Sequence, residues 1–181
     1  MSNSEINAIT RESIYLALQQ LLETKALAEI TVTEITSRAG VSRMGYYRNY
    51  QSKEEILLAH LDELFINYYL DLEKLPKKEI FEFSLHFFNY FEDHHQLVEL
   101  LIKTALTNEL LLKFKNYLEK IISELLQMDY FQLHSTETYE IHFLVGGLWN
   151  LLLNWILDER PHPSEHMAHI IDDLGLTILG K

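Results

Sequence analysis

Residues 30–64 read ITVTEITSRAGVSRMGYYRNYQSKEEILLAHLDEL, and this stretch decides the fold. Thr33 stands where a side-chain oxygen caps a short helix, with Ile35 on its buried side. Ala39-Gly40-Val41 supplies a tight turn, and Gly40 is free to take positive φ as a helix stop. Ser42 caps a second short helix that ends near Tyr47. Ser52-Lys53-Glu54-Glu55 is a capping box with Glu55 at the third helical position, and it opens a long helix from about Lys53 to Leu72. Two short helices at a sharp turn, flanked by longer ones, form a helix-turn-helix.

Outward from this stretch the chain stays helical. On the N-terminal side, Ile14, Leu18, Leu21 and Leu22 recur at helical spacing. After Pro76 the pattern predicts helices over Ile80–Phe91, Leu97–Leu106, Asn108–Gln127, Thr138–Leu157 and Glu165–Leu179, with Ser164 capping the last. Glu92–His95, Met128–Ser135 and Arg160–Pro163 read as breaks. No segment reads as a strand.

Composition narrows the chemistry. Hydrophobic residues make up 48% of the 181 and charged residues 23%, enough apolar area for a folded core. Cysteine is absent, which excludes disulfides, thiolate metal sites and Cys nucleophiles. The N-terminus lacks the basic start and apolar run of a signal peptide. The most apolar late run, Phe143 to Leu157, is too short for a bilayer and carries Asn150 and Asn154. A cytoplasmic protein without membrane attachment is expected.

The formal charge of −12 would by itself argue against nucleic acid, but it is unevenly spread. Residues 1–60 hold six Lys/Arg against seven Asp/Glu, and residues 61–181 hold nine against twenty. Thr31 to Lys53 carries Arg38, Arg43, Arg48 and Lys53 against Glu34 alone. A polyanion can dock on that basic segment while the acidic remainder repels it.

The segments Ile30-Thr31-Val32-Thr33-Glu34-Ile35, Ala39-Gly40-Val41-Ser42, Tyr46-Tyr47-Arg48-Asn49-Tyr50 and Ser52-Lys53-Glu54-Glu55-Ile56-Leu57 resemble the DNA-binding domain of the TetR family of bacterial transcription regulators. The family usually has Phe at the position of Tyr50, and Tyr or His at that of Asn49. The resemblance implies an all-α protein. It also implies a three-helix DNA-binding domain (1–52) followed by a helical effector-binding and dimerisation domain (53–181). It implies a homodimer on a palindromic operator, whose DNA affinity is set by a small effector, and a repressor rather than an activator. No cofactor is expected.

Roles follow from residue type. Thr33 and Ser42 sit at helix N-termini, where free N–H groups favour phosphate, and Tyr47 and Lys53 add a hydroxyl and an ammonium. Arg43, Met44, Gly45 and Tyr46 are the base-reading candidates. Arg43 suits guanine, Met44 suits a thymine methyl, and Gly45 permits close approach. Arg48 and Asn49 are backbone contacts by resemblance, with a solvated charge as the alternative for Arg48. Tyr46 and Tyr50 can equally fill the small core beneath.

One reading helix covers only a few base pairs, so two half-sites and a dimer are expected. Gly146-Gly147 permits close helix approach, and Leu148, Leu152 and Trp155 supply area for that interface, with intramolecular core as the alternative for the tryptophans. Phe83, Phe87, Tyr90, Leu101, Tyr117 and Trp149 are candidate effector lining, or plain core. The segment Phe143–Asn150 also resembles a C-terminal subgroup that includes regulators of dihydroxyacetone kinase operons.

Two rival readings use histidine. His162, Glu165, His166 and His169 have spacings that could hold Zn²⁺ and make the protein metal-responsive. Glu92-x-x-His95 has the spacing of half a di-iron helical site, but the second motif, Glu159-x-x-His162, is interrupted by Pro161. With no hydrolase, zinc-protease or phosphate-loop motif present, a non-enzyme is expected.

Overall fold

The computed structural model describes residues 3–75, 79–121 and 139–178, and among them every regular element is helical. The helices are α1 (Asn3–Leu22), α2 (Val32–Ala39), α3 (Arg43–Tyr47), α4 (Lys53–Glu73), α5 (Ile80–Asp93), α6 (His95–Lys103), α7 (Thr107–Ile121), α8 (Tyr139–Leu157) and α9 (Ser164–Ile178), with a 3-10 turn at Leu27–Glu29. The expected break at Met128–Ser135 lies outside the described residues. The chain forms two compact units, residues 1–63 with 100–107, and residues 64–99 with 108–181. The sequence partition at 52/53 marks where α4 begins, whereas packing divides α4 itself between the units.

The first unit is built on the predicted periodicity. Ile14, Leu18 and Leu22 of α1 are buried with Ile35, Tyr46, Tyr50, Ile56, Leu57 and Leu61. Gly40 ends α2 at φ +68°, the left-handed conformation that glycine adopts at no steric cost. Ser42 caps α3, its Oγ accepting from the Gly45 N–H at 2.9 Å. At α4 the Ser52 Oγ accepts from the Glu55 N–H at 3.2 Å, and the Glu55 carboxylate accepts from the Gln51 N–H at 2.6 Å. The 100–107 segment adds buried Leu101 and Leu106, and Lys103 donates to the Leu22 carbonyl at 2.8 Å, satisfying one of the open acceptors at the end of α1.

His60 gives this unit a pH dependence. Its ring stacks on Tyr15 at 3.7 Å, its Nδ1 lies 3.7 Å from Glu63, and its Nε2 is buried without a partner. Burial lowers its pKa from the ordinary 6.5, outweighing the pull of Glu63 and Glu12, while Arg11 adds to the lowering. The unfolded chain therefore takes up this proton first as pH falls. The stability carried by the neutral ring is present above the unfolded value and is lost as pH falls through the lower folded value. A His60→Gln variant is expected to show a flatter fall in unfolding midpoint between about pH 7 and 5. An unchanged slope in urea titrations at these pH values would remove His60 from the account.

The second unit has an aromatic core. Phe65 stacks on Tyr117 at 4.9 Å and meets Phe91 and Phe114 edge-on. Phe88 meets Trp155 in a T-shape at 5.3 Å, and α5 packs along α9. Aromatic pairs at such distances add attraction beyond the area they bury. The Trp155 indole donates to the His162 carbonyl at 2.8 Å. Ser164 was expected to cap α9 but stands inside its first turn. The Pro163 carbonyl accepts from the His166 and Met167 N–H groups, and the Ser164 hydroxyl donates to Glu92 at 2.6 Å.

Candidate nucleic-acid interface

The N-terminus of α2 is organised by Thr31 rather than Thr33. The Thr31 Oγ1 accepts from the Glu34 N–H at 3.3 Å, and the Glu34 carboxylate accepts from the Thr31 N–H at 2.9 Å and from its hydroxyl at 2.8 Å. Lys25 also pairs with Glu34. The Lys25 hydrogen bond, followed by those from Thr31, holds the Glu34 carboxyl down to about 2. This end of α2 thus already has a resident carboxylate. Thr33 lies two residues into the helix, and its hydroxyl accepts from the Arg43 guanidinium across the turn.

On α3 the side chains divide sharply. Met44 is 65% exposed and Tyr47 60% exposed, and Arg43 and Arg48 are exposed beside them. The positions i, i+1, i+4 and i+5 place these four on one side of the five-residue helix and its C-cap, Arg48. The Arg48 guanidinium reaches the Met44 Sδ at 3.5 Å, and the Asn49 amide donates to the Gly45 carbonyl at 2.8 Å. A Cβ on Gly45 would meet the Ser42 Oγ at 3.3 Å, so this glycine protects the cap as well as leaving the face low.

Two expectations on this face are corrected. Tyr46 is 0% exposed, its ring packed between Tyr47 and Tyr50, and burial pushes its hydroxyl up to about 12. It holds α3 on the core and presents nothing to a base. Lys53 does not offer a free ammonium, since its Nζ donates to the carbonyls of Leu27, Ala28 and Ile30. Residues that sequence reasoning passed over are Thr31, Glu34 and Lys25, together with Arg11, which donates to the Tyr50 hydroxyl at 3.4 Å and pairs with Glu63.

In the second unit the candidate effector residues are mostly core. Phe83, Phe87, Tyr90 and Trp149 are buried, and Tyr117 is half-buried on Phe65. Tyr90 donates to the Leu64 carbonyl at 2.8 Å. Leu101 is buried and belongs to the first unit. On successive turns of α5, Glu82 Oε2 and His86 Nε2 are buried without hydrogen-bond partners.

The α8 expectations divide in the same way. Leu152 and Trp155 are 1% and 3% exposed, so both are core rather than interface. Gly146 and Gly147 have open space where a Cβ would stand, Leu148 is half-buried, and Phe143 is 67% exposed. The zinc reading finds no support. His162 and His166 face each other at 4.7 Å, but His169 packs on Phe81, and among the described residues no three His, Asp or Glu side chains converge. Among them, too, no helix is long and apolar enough to cross a membrane.

Comparison with known proteins agrees with the helical fold. The family model described as bacterial regulatory proteins, tetR family, matches residues 14–60, and a model for a transcriptional regulator C-terminal region matches residues 78–175. The chain belongs to the TetR family. Both models describe regulators of transcription, and the first spans the helix-turn-helix. A relative, the HTH-type transcriptional regulator EthR of Mycolicibacterium smegmatis, is 38% identical over 92 residues. That alignment covers 46% of this chain and 42% of the relative, so the chain spans less than half the length of this relative. A putative TetR-family regulator from Syntrophomonas wolfei shares the fold with a TM-score of 0.74 at 16% identity, over 99% of this chain and 97% of that one. The dihydroxyacetone kinase operon activator DhaS superposes with a TM-score of 0.59 at 20% identity, over 96% of this chain and 97% of that one.

Proposed function

We infer that this TetR-family protein acts in the cytoplasm as a homodimer on a palindromic operator. Its second unit takes a small effector that controls DNA affinity, and the protein acts as a repressor. The observation that carries the reading is the outward face of α3, where Arg43, Met44, Tyr47 and Arg48 stand exposed in the basic segment of an acidic chain. Arg43 reads base edges, Met44 meets methyl groups, and Tyr47 and Arg48 contact the backbone. The exposed side of α8, with Phe143 and Gly147, faces the second protomer.

The effector site draws on the aromatic residues of α5, α7 and α8, with Glu82 and His86 as polar groups in want of partners. α4 contributes to both units and is the continuous element through which occupancy is felt. An effector shifts the equilibrium only by binding free and DNA-bound protein with different affinity.

The test is selection of duplexes from genomic fragments by the purified protein, followed by competition at two salt concentrations. Saturable binding that beats nonspecific competitor and weakens with salt is expected. An Arg43→Ala variant is expected to lose about 1–3 kcal/mol of discrimination against single-base changes in the selected site. Binding that weakens equally on all sequences would move Arg43 from base to backbone.

A further inference from the structure

Lys53 opens α4, at the edge of the DNA-reading unit, yet its ammonium turns back into the protein. Its Nζ donates to the carbonyls of Leu27, Ala28 (3.1 Å) and Ile30 (2.9 Å). An ammonium has three donors and no acceptor, so this one is fully used by a single backbone turn. Without a cation, three carbonyl dipoles pointing at one spot repel each other. They belong to the turn Leu27–Glu29 and its C-cap Ile30, which leads directly into Thr31, the cap of α2. On its far side the cap is held by Glu34 and Lys25. α2 then carries Thr33, the hydroxyl on which Arg43 rests.

We propose that Lys53 is a positioning residue for DNA recognition and not a phosphate ligand. It gathers the 27–30 carbonyls, fixes where α2 starts, and through Thr33 sets the guanidinium of Arg43. The proposal rests on the reading that α3 faces DNA.

The absence of cysteine provides the test. A Lys53→Cys variant carries a single thiol. Alkylation with 2-bromoethylamine restores an ammonium at nearly lysine length, and iodoacetamide supplies a neutral control. Lys53→Met serves as the second variant should the thiol form fold poorly. Amide exchange is read in the free protein, and affinity and its salt dependence are read on the duplex selected by the unmodified protein, well below the melting temperature.

The neutral forms are expected to exchange faster at residues 27–34 and to bind about tenfold more weakly, the scale of one lost charge-assisted hydrogen bond. Their salt slope stays that of the unmodified protein, and the aminoethyl form recovers both exchange and affinity. A salt slope reduced by about 0.9 with unchanged exchange would make Lys53 a phosphate ligand and overturn the proposal. Faster exchange with unchanged affinity would reduce the clamp to a stabilising contact and overturn it equally. Failure of the unmodified protein to select any duplex overturns the regulator reading instead, and it is known before a variant is compared.

Discussion

A Tyr46→Ala variant is expected to lose about 3–5 kcal/mol of stability, the cost of emptying a fully buried aromatic site. The ring is 0% exposed and packs against Tyr47 and Tyr50, at the point where a five-residue helix meets the core. A helix that short has no stability of its own, so the ring is what holds it in place. The companion change separates ring from hydroxyl. The Tyr46 hydroxyl oxygen is buried without a hydrogen-bond partner. Removing an unsatisfied buried polar group is neutral or favourable, so Tyr46→Phe is expected to match or exceed the parent in denaturant unfolding. It should also leave operator affinity unchanged. A Tyr46→Phe protein with parental stability and lost base discrimination would return this residue to the groove.

The second large effect is expected at Trp155. Trp155→Ala removes a 3% exposed indole, its T-shaped contact with Phe88 and its hydrogen bond to the His162 carbonyl. The cost is about 3–5 kcal/mol, measured by urea unfolding. The decisive feature is concentration dependence. A core residue lowers stability by the same amount at every protein concentration, whereas an interface residue acts through association. A variant that keeps its unfolding midpoint as a monomer but dissociates the assembly would restore Trp155 to the interface that its sequence suggests.

What the sequence made legible was local. Gly40, Ser42 and Ser52 act within four residues of themselves, and each turn or cap stands where the pattern puts it. The Thr31 cap was legible too. Glu34 follows it at capping-box spacing, while Thr33 has Thr36 at that place. Tyr46 and Tyr47 are adjacent residues of one type, and nothing local says which turns inward. Lys53 finds its carbonyl partners 23 to 26 residues back along the chain. α8 is apolar nearly all round, so periodicity could not tell its core side, with Leu152 and Trp155, from its exposed side, with Phe143. His169 is drawn from the other histidines by Phe81, a partner on a different helix. The misplaced residues are those whose neighbours are set by packing rather than by spacing.

The central claim is that two copies of the α3 face read one operator. Hydroxyl-radical footprinting of the purified protein on its own promoter fragment tests it most directly. The account predicts two protected backbone patches related by a dyad, with centres about one helical turn or a multiple of it apart. Both patches should fade together as salt is raised. A single unsymmetrical patch, or no protection above nonspecific competitor on this and on genome-selected fragments, would contradict it.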